Sequence, residues 1–199
     1  MSLMQAIVDN DAAAFDLRLA ASPALARVSL AQGATRQDSV AFFLPALGRY
    51  LMAGDTALHI AAAAYRIDQV QALLTAGADP GVRNRRGAQP LHDAASGRLG
   101  SVSWSPAAQA QVIARLIAAG ADPNARDKNG ATPLHKAVRT RCAAAVEALL
   151  AGGADVALKT KAGSTAVRLA ALTTGRSGAA TPEARAEQAV ILGRLTKGK

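Results

Sequence analysis

The sequence predicts an all-α repeat solenoid of stacked helix-turn-helix pairs, and three observations carry that prediction. A nine-residue motif occurs four times. Its copies are Gly54-Asp55-Thr56-Ala57-Leu58-His59-Ile60-Ala61-Ala62, then Gly87 to Ala95, Gly130 to Val138 and Gly163 to Ala171, with leading glycines 33, 43 and 33 residues apart. A second motif, Gly-Ala-Asp, begins at Gly77, Gly120 and Gly153 and keeps the same phase. The chain is 50% hydrophobic but only 3% aromatic, a composition of alanine and leucine that suits thin helical layers. A fixed period of this size marks units that bury their faces on one another instead of around one central core.

Each copy carries its own start and stop signals. Thr132 is suited to cap a helix and Pro133 to open it, because the hydroxyl accepts an orphan backbone N–H and proline lacks a donor that is not needed there. Leu134, Ala137 and Val138 then share one helical face. A second helix presents Val146, Leu149 and Leu150 for burial, and Gly153 ends it in a conformation that glycine tolerates. Val70, Leu73 and Leu74 fill these places in the first repeat, and Ile113, Leu116 and Ile117 in the second. Gln89 replaces the capping threonine of the second repeat, at a predicted cost of about 1 kcal/mol or less.

The two motifs resemble the ankyrin repeat, whose signature is G-x-T-P-L-H-x-A-A. The resemblance is close over residues 54 to 171 and is of a bacterial type. It implies β-hairpin fingers set across the helices, and a concave face that binds other proteins. It also implies a motif histidine that hydrogen-bonds between neighbouring turns. The expected organisation is a single domain: an irregular N-terminal cap with an insertion over 1–53, repeats over 54–86, 87–129 and 130–162, and a C-terminal repeat over 163–199.

The first residues read as that cap. Leu3 to Val8 and Ala12 to Ala21 form an opening helix pair, with Asn10 and Asp11 as caps and Pro23 as the stop. Residues 33 to 53 are an insertion. Within it Val40, Phe42, Phe43, Leu44, Leu47, Tyr50 and Leu51 are expected to form a short apolar helix, with Pro45 near its start or breaking it. Two roles stay open, a plug in the first interface and a wall beside the binding groove.

Several function classes lack their residues. No basic-then-apolar start and no apolar run near 18 residues is present, so neither a signal peptide nor a membrane span is expected. The single cysteine, Cys142, has no partner for a disulfide or a thiolate metal site, and a cytoplasmic setting is the expectation. His59, His92 and His135 occupy one place in the repeat, which favours a structural role over metal binding or catalysis. No catalytic constellation, cofactor or metal is expected, and a monomer is.

Charge is uneven. Residues 1 to 79 carry a net of −2 and residues 80 to 199 a net of +11, together the formal +9. Much of the excess falls just before the motif glycines. Arg83, Arg126 and Lys159 stand four residues before them, and Arg85, Lys128 and Lys161 two residues before. A two-residue offset on extended chain puts both on one face, so stacking predicts two basic ladders, with Arg86 interleaved and Asp127 the lone interleaved acid. A solvated surface and a surface for an acidic partner are both consistent with that pattern.

Departures from the repeat point to the groove. The family resemblance places Asp93, Lys136, Arg139 and Thr140 at contact positions of the inner helix. Tyr65 and Arg141 stand at helix-to-helix turns where the family prefers glycine. Loops at Gly97–Ser105, with Trp104, and Thr174–Thr181, with Arg176, fall at that same turn. Arg139, Arg141 and Arg176 suggest a positive groove floor, with Tyr50, Tyr65 and Trp104 as flat anchors. The leading reading is a non-enzymatic scaffold that binds an unidentified acidic protein or peptide, with charge reversal at Arg85, Lys128 and Lys161 weakening it. The alternatives are sequence-independent RNA or DNA binding and binding of a small anionic ligand.

Overall fold

The computed structural model describes residues 2–96, 105–172 and 182–197. Helices α1 (Leu3–Val8) and α2 (Ala12–Ala21) open the chain. Four pairs follow: α3 (Ala57–Ala63) with α4 (Ile67–Thr75), α5 (Pro90–Ala95) with α6 (Pro106–Ala118), α7 (Pro133–Thr140) with α8 (Ala143–Ala151), and α9 (Ala166–Ala171) with α10 (Pro182–Lys197). The inner helices α1, α3, α5, α7 and α9 stack on one another in that order, and the outer helices α4, α6, α8 and α10 form a second row. This is the solenoid that the period predicts.

The core is a thin seam between the rows. Leu58, Leu91 and Leu134, from one motif position, are fully buried, as are the outer-helix residues Val70, Leu73, Ile113, Leu116, Val146 and Leu149. Alanines such as Ala61, Ala94 and Ala137 expose nothing and let neighbouring helices approach closely. Ile7 and Phe15 of the opening pair join the same core, so the N-terminal cap covers the face of α3.

The caps form largely as their residue types dictate. Asp11 accepts from the Ala14 N–H at 2.9 Å, Ser105 from Ala108 at 3.2 Å and Thr165 from Arg168 at 3.2 Å. Asn10 does not cap; it takes the left-handed backbone that joins α1 to α2, φ 58°. Gln89 turns its amide to the Gly81 carbonyl at 2.9 Å, leaving its own side-chain oxygen buried with no hydrogen-bond partner among the described residues.

The fingers are tight turns. In the first, the Asn84 N–H donates to the Ala88 carbonyl and the Gly87 N–H to the Asn84 carbonyl, and Asp127 and Thr160 head the same arrangement in the next two. Isolated bridges, Ser29 with Thr56 and Lys159 with Thr165, take the place of extended strands. One backbone bond joins each finger to the last: Arg85 N–H to Ala53 O, Lys128 to Arg86 O and Lys161 to Asn129 O, at 2.7–2.9 Å. This register explains the motif glycine. A Cβ on Gly130, whose φ is +73°, would lie 2.8 Å from the Lys161 nitrogen.

The insertion corrects the sequence reading. The expected helix within residues 33–53 is a single 3₁₀ turn at Val40–Phe42 followed by an antiparallel hairpin, β1 (Phe43–Leu44) and β2 (Arg49–Tyr50), with Phe43 opposite Tyr50 and Leu44 opposite Arg49. Pro45 has no N–H for a helical ladder and Gly48 adopts φ +56° in the turn. Exposure alternates from Ala41 to Pro45, the period of a strand. Leu44, Leu47 and Leu51 rest on the core. Phe43 and Tyr50 pack in a tilted pair on the other face, ring centroids 4.9 Å apart and planes 51° from parallel.

The helix-to-helix turns keep their left-handed geometry despite their side chains, with φ 56° at Tyr65 and 55° at Arg141. Trp104 and Arg176, with the loop residues 97–104 and 173–181, lie outside the described residues. No described helix is long and apolar enough to cross a membrane.

Candidate partner-binding groove

The motif histidines fix the spacing of the repeats. His59 Nε2 reaches the Ala88 carbonyl at 3.2 Å, His92 the Ala131 carbonyl at 3.1 Å and His135 the Ser164 carbonyl at 3.0 Å. A carbonyl only accepts, so Nε2 carries the proton and Nδ1 is left to accept. Nδ1 takes the N–H of Thr56, Gln89 or Thr132 at the start of its own helix, at 3.1–3.2 Å. Burial holds the His92 and His135 imidazoles below their ordinary pKa, partly offset by the Ala131 and Ser164 carbonyls. In all three histidines both ring nitrogens are taken up in bonds within the stack, the contact between neighbouring turns that the repeat position implied. Burial pushes the Cys142 thiol up, away from reactivity.

A concave groove of about 610 Å³ opens between the hairpin, the inner helices and the fingers. The hairpin supplies Leu47, Arg49 and Tyr50; Ala63 and Tyr65 come from the end of α3, and Arg85, Arg86 and Lys128 from the fingers. Asp93 and Lys136, from the exposed sides of α5 and α7, complete it.

Arg49 is the central residue of this site. Its guanidinium pairs with Asp55 at 2.9 Å and with Asp93 at 3.0 Å, and donates to the His59 carbonyl at 3.4 Å. Asp55 also accepts from the Met52 N–H and the Asn84 amide, each at 2.8 Å. Burial opposes charge on Arg49, but the two carboxylates outweigh it and raise its pKa. Burial pushes the Asp55 carboxyl up, and Arg49 pulls against that. The ligating atoms of Asp55, His59 and Asp93 lie within 4.8 Å of one another. The histidine nitrogens are already bonded and Arg49 supplies the cation, so the cluster reads as an internal ion network.

A second pair lies across the groove, where Lys136 Nζ meets Asp127 at 2.8 Å. Burial pulls the Asp127 carboxyl upward, but Lys136 and the Ala131 and Asn129 N–H groups hold it below its usual value.

The other candidate residues divide into three groups. Arg86 and Lys128 face the groove with no side-chain partner among the described residues. Arg83 and Arg85 are used internally: Arg83 bonds the Gly87 and Arg126 carbonyls at 3.0 and 2.6 Å, and Arg85 bonds the Ala34 carbonyl of the insertion. Arg126, Lys159 and Lys161 are exposed finger residues outside the groove lining. Tyr50 is 42% exposed, whereas Tyr65 is 7% exposed and serves as a wall more than an anchor. Arg139 and Arg141 do not form the floor of this groove. They line a separate cleft of about 370 Å³ with Leu169, Leu172 and Ile191.

Sequence reasoning missed Arg49 and Asp55. A signal for Asp55 existed: the residue after the motif glycine is Ala88, Ala131 and Ser164 in the other copies. Nothing in the sequence pattern marked Arg49 as the partner.

Comparison with protein families matches "Ankyrin repeat" at residues 53–85 and 86–128 and "Ankyrin repeats (many copies)" at residues 116–170. No curated protein matches the chain. With stacked helix pairs, in-register fingers and histidine ties from repeat to repeat, the chain belongs to the ankyrin repeat family.

Proposed function

We propose that this protein is a non-enzymatic interaction scaffold that binds an acidic segment of a partner protein in the concave groove. Ankyrin repeats generally mediate protein–protein interaction, which supports the class of function. One observation carries the finer reading. Arg86 and Lys128 stand on adjacent fingers joined by the Lys128 N–H to Arg86 carbonyl bond of 2.9 Å, and both face the groove with no side-chain partner among the described residues. Other charged groups around it are engaged within the protein, Arg49 with Asp55 and Asp93, Lys136 with Asp127 and Arg85 with the Ala34 carbonyl, and the cations still outnumber the carboxylates. The uncompensated field is positive, which favours acidic surfaces and speeds their encounter. The cap, repeats and C-terminal pair act as one domain in this reading, and the exposed finger residues Arg126, Lys159 and Lys161 add to the field without direct contact.

The test is affinity capture from nuclease-treated lysate with mass spectrometry of what is retained. A defined protein should be captured by the wild type and lost with Arg86→Glu and Lys128→Glu together. Arg126→Glu with Lys159→Glu makes the same change in net charge outside the groove and should retain it. Equal loss in both variants would reduce the finding to bulk charge. Retention only when nuclease is omitted would assign the surface to nucleic acid.

A further inference from the structure

The groove has two chemically different walls. One is apolar, built from Leu47, Tyr50 and Met52 of the insertion with Ala63 and Tyr65 from the end of α3. The other is cationic, built from the fingers, with Arg86 and Lys128 unpaired among the described residues. An acidic segment without apolar side chains would satisfy only the second wall. The groove therefore fits a segment whose carboxylates face the fingers while an aromatic or large aliphatic side chain seats against the hairpin.

The apolar wall depends on how the hairpin is held. β1 and β2 share only two residue pairs, and a short isolated hairpin is marginal in water. Arg49 lies in β2 beside Tyr50, and its guanidinium bridges carboxylates from two repeats, Asp55 in the first and Asp93 in the second. The pairing is buried, with 16% of the Arg49 side chain exposed and none of Asp55. Buried charges in two-partner geometry fix position more than they add stability. Asp93, which the family resemblance places at a contact position, is thereby taken up as the socket of this clasp.

We propose that the partner segment is both acidic and apolar, and that Arg49 is the positioning residue that sets the apolar wall of its site. The proposal rests on the acidic-groove reading above and refines it. Arg49 itself does not touch the partner; it holds Tyr50 and Leu47 where an incoming side chain meets them, so the wall is preformed and little is lost in ordering it on binding.

Two probes separate the walls: a short glutamate peptide with one central phenylalanine, and the same peptide with glutamate throughout. Wild type should prefer the phenylalanine peptide by about tenfold, the scale of one seated aromatic ring. In Arg49→Met with Asp93→Asn, which removes the clasp and leaves Asp55 held by the Met52 N–H and the Asn84 amide, that preference should fall below about twofold while the all-glutamate affinity changes little. Arg86→Ala with Lys128→Ala should weaken both peptides and keep the preference. A merely structural role for Arg49 would lower both affinities together and leave their ratio alone. A ratio that survives the Arg49 change, or a wild type that binds both peptides alike, would overturn the proposal and leave the acidic groove standing. A wild type that binds neither peptide at low salt would overturn both.

Discussion

The Arg49 guanidinium stands 3.0 Å from the Asp93 carboxylate, joining a hairpin that belongs to no repeat to the inner helix of the second repeat. The same guanidinium meets Asp55, 2.9 Å away, in the first repeat. One side chain from the insertion thus ties together the first two repeats.

Arg49→Met strands Asp55 and Asp93 without their cation. Removing one partner of a buried pair typically costs about 3–5 kcal/mol. The Met52 N–H and the Asn84 amide remain on Asp55, so the lower end of that range is expected in urea unfolding. Adding Asp93→Asn should recover part of the loss. A single-variant cost under about 1 kcal/mol would mean that the network is solvated.

Protonation should destabilise the protein from just below neutrality. His92 and His135 have folded pKa values below the ordinary 6.5, so the unfolded chain binds more protons between the lowered value and 6.5. Stability then rises with pH through that window and is complete above it. Asp127, held below 3.8, contributes a second loss as pH falls under that value. Urea midpoints should be level from pH 8 to about 7 and decline by pH 5.5. A flat profile across the histidine range would show that the imidazoles are not held neutral.

The two left-handed turn residues should respond to glycine with opposite signs. Arg141→Gly relieves a side chain at φ 55°, a strain on the order of 1 kcal/mol, and should raise Tm or leave it unchanged. Tyr65→Gly relieves the same strain but removes a ring that is 7% exposed, a loss of about 2–3 kcal/mol. Its Tm should fall. Parallel shifts in the two variants would show that backbone strain decides both.

Gly130, a motif glycine, should tolerate alanine less than Gly153, a helix-stop glycine. Both Gly130 and Gly153 have positive φ, so alanine costs about 1–2 kcal/mol at each. A Cβ on Gly153 meets nothing within 4 Å, whereas on Gly130 it presses on the Lys161 backbone nitrogen at 2.8 Å. Gly130→Ala should cost at least twice as much as Gly153→Ala in chemical denaturation. Equal costs would mean that the fingers yield freely.

The repeated parts of the fold were legible because each copy checks the others. Three histidines at one place, followed by an apolar outer helix and a Gly-Ala-Asp stop, define helices, turns and burial together. The insertion occurs once, so nothing corroborated its period. Its run of apolar residues reads as a short helix that Pro45 starts or breaks, whereas Pro45 and Gly48 turn the chain into a hairpin. The groove was half legible. Arg86, Lys128 and Tyr50 were found from charge and position, but Arg139 and Arg141 lie in another cleft. Arg85 and Asp93 are taken up by the protein itself, through contacts that depend on a fold of residues 33–53 that periodicity does not describe.

Every histidine tie runs the same way along the stack, donor in one repeat and acceptor in the next. In the fourth motif copy Arg168 stands where the imidazoles were. The two sides of any cut between repeats are therefore unequal. Proteolysis that removes the C-terminal side of the second or third repeat bares His92 or His135, and exposure relieves the burial that held that imidazole's pKa down. Removal of the N-terminal side bares only a carbonyl, which water satisfies at any pH. Fragments keeping the first repeats should become acid-sensitive at their new end, and fragments keeping the last should not.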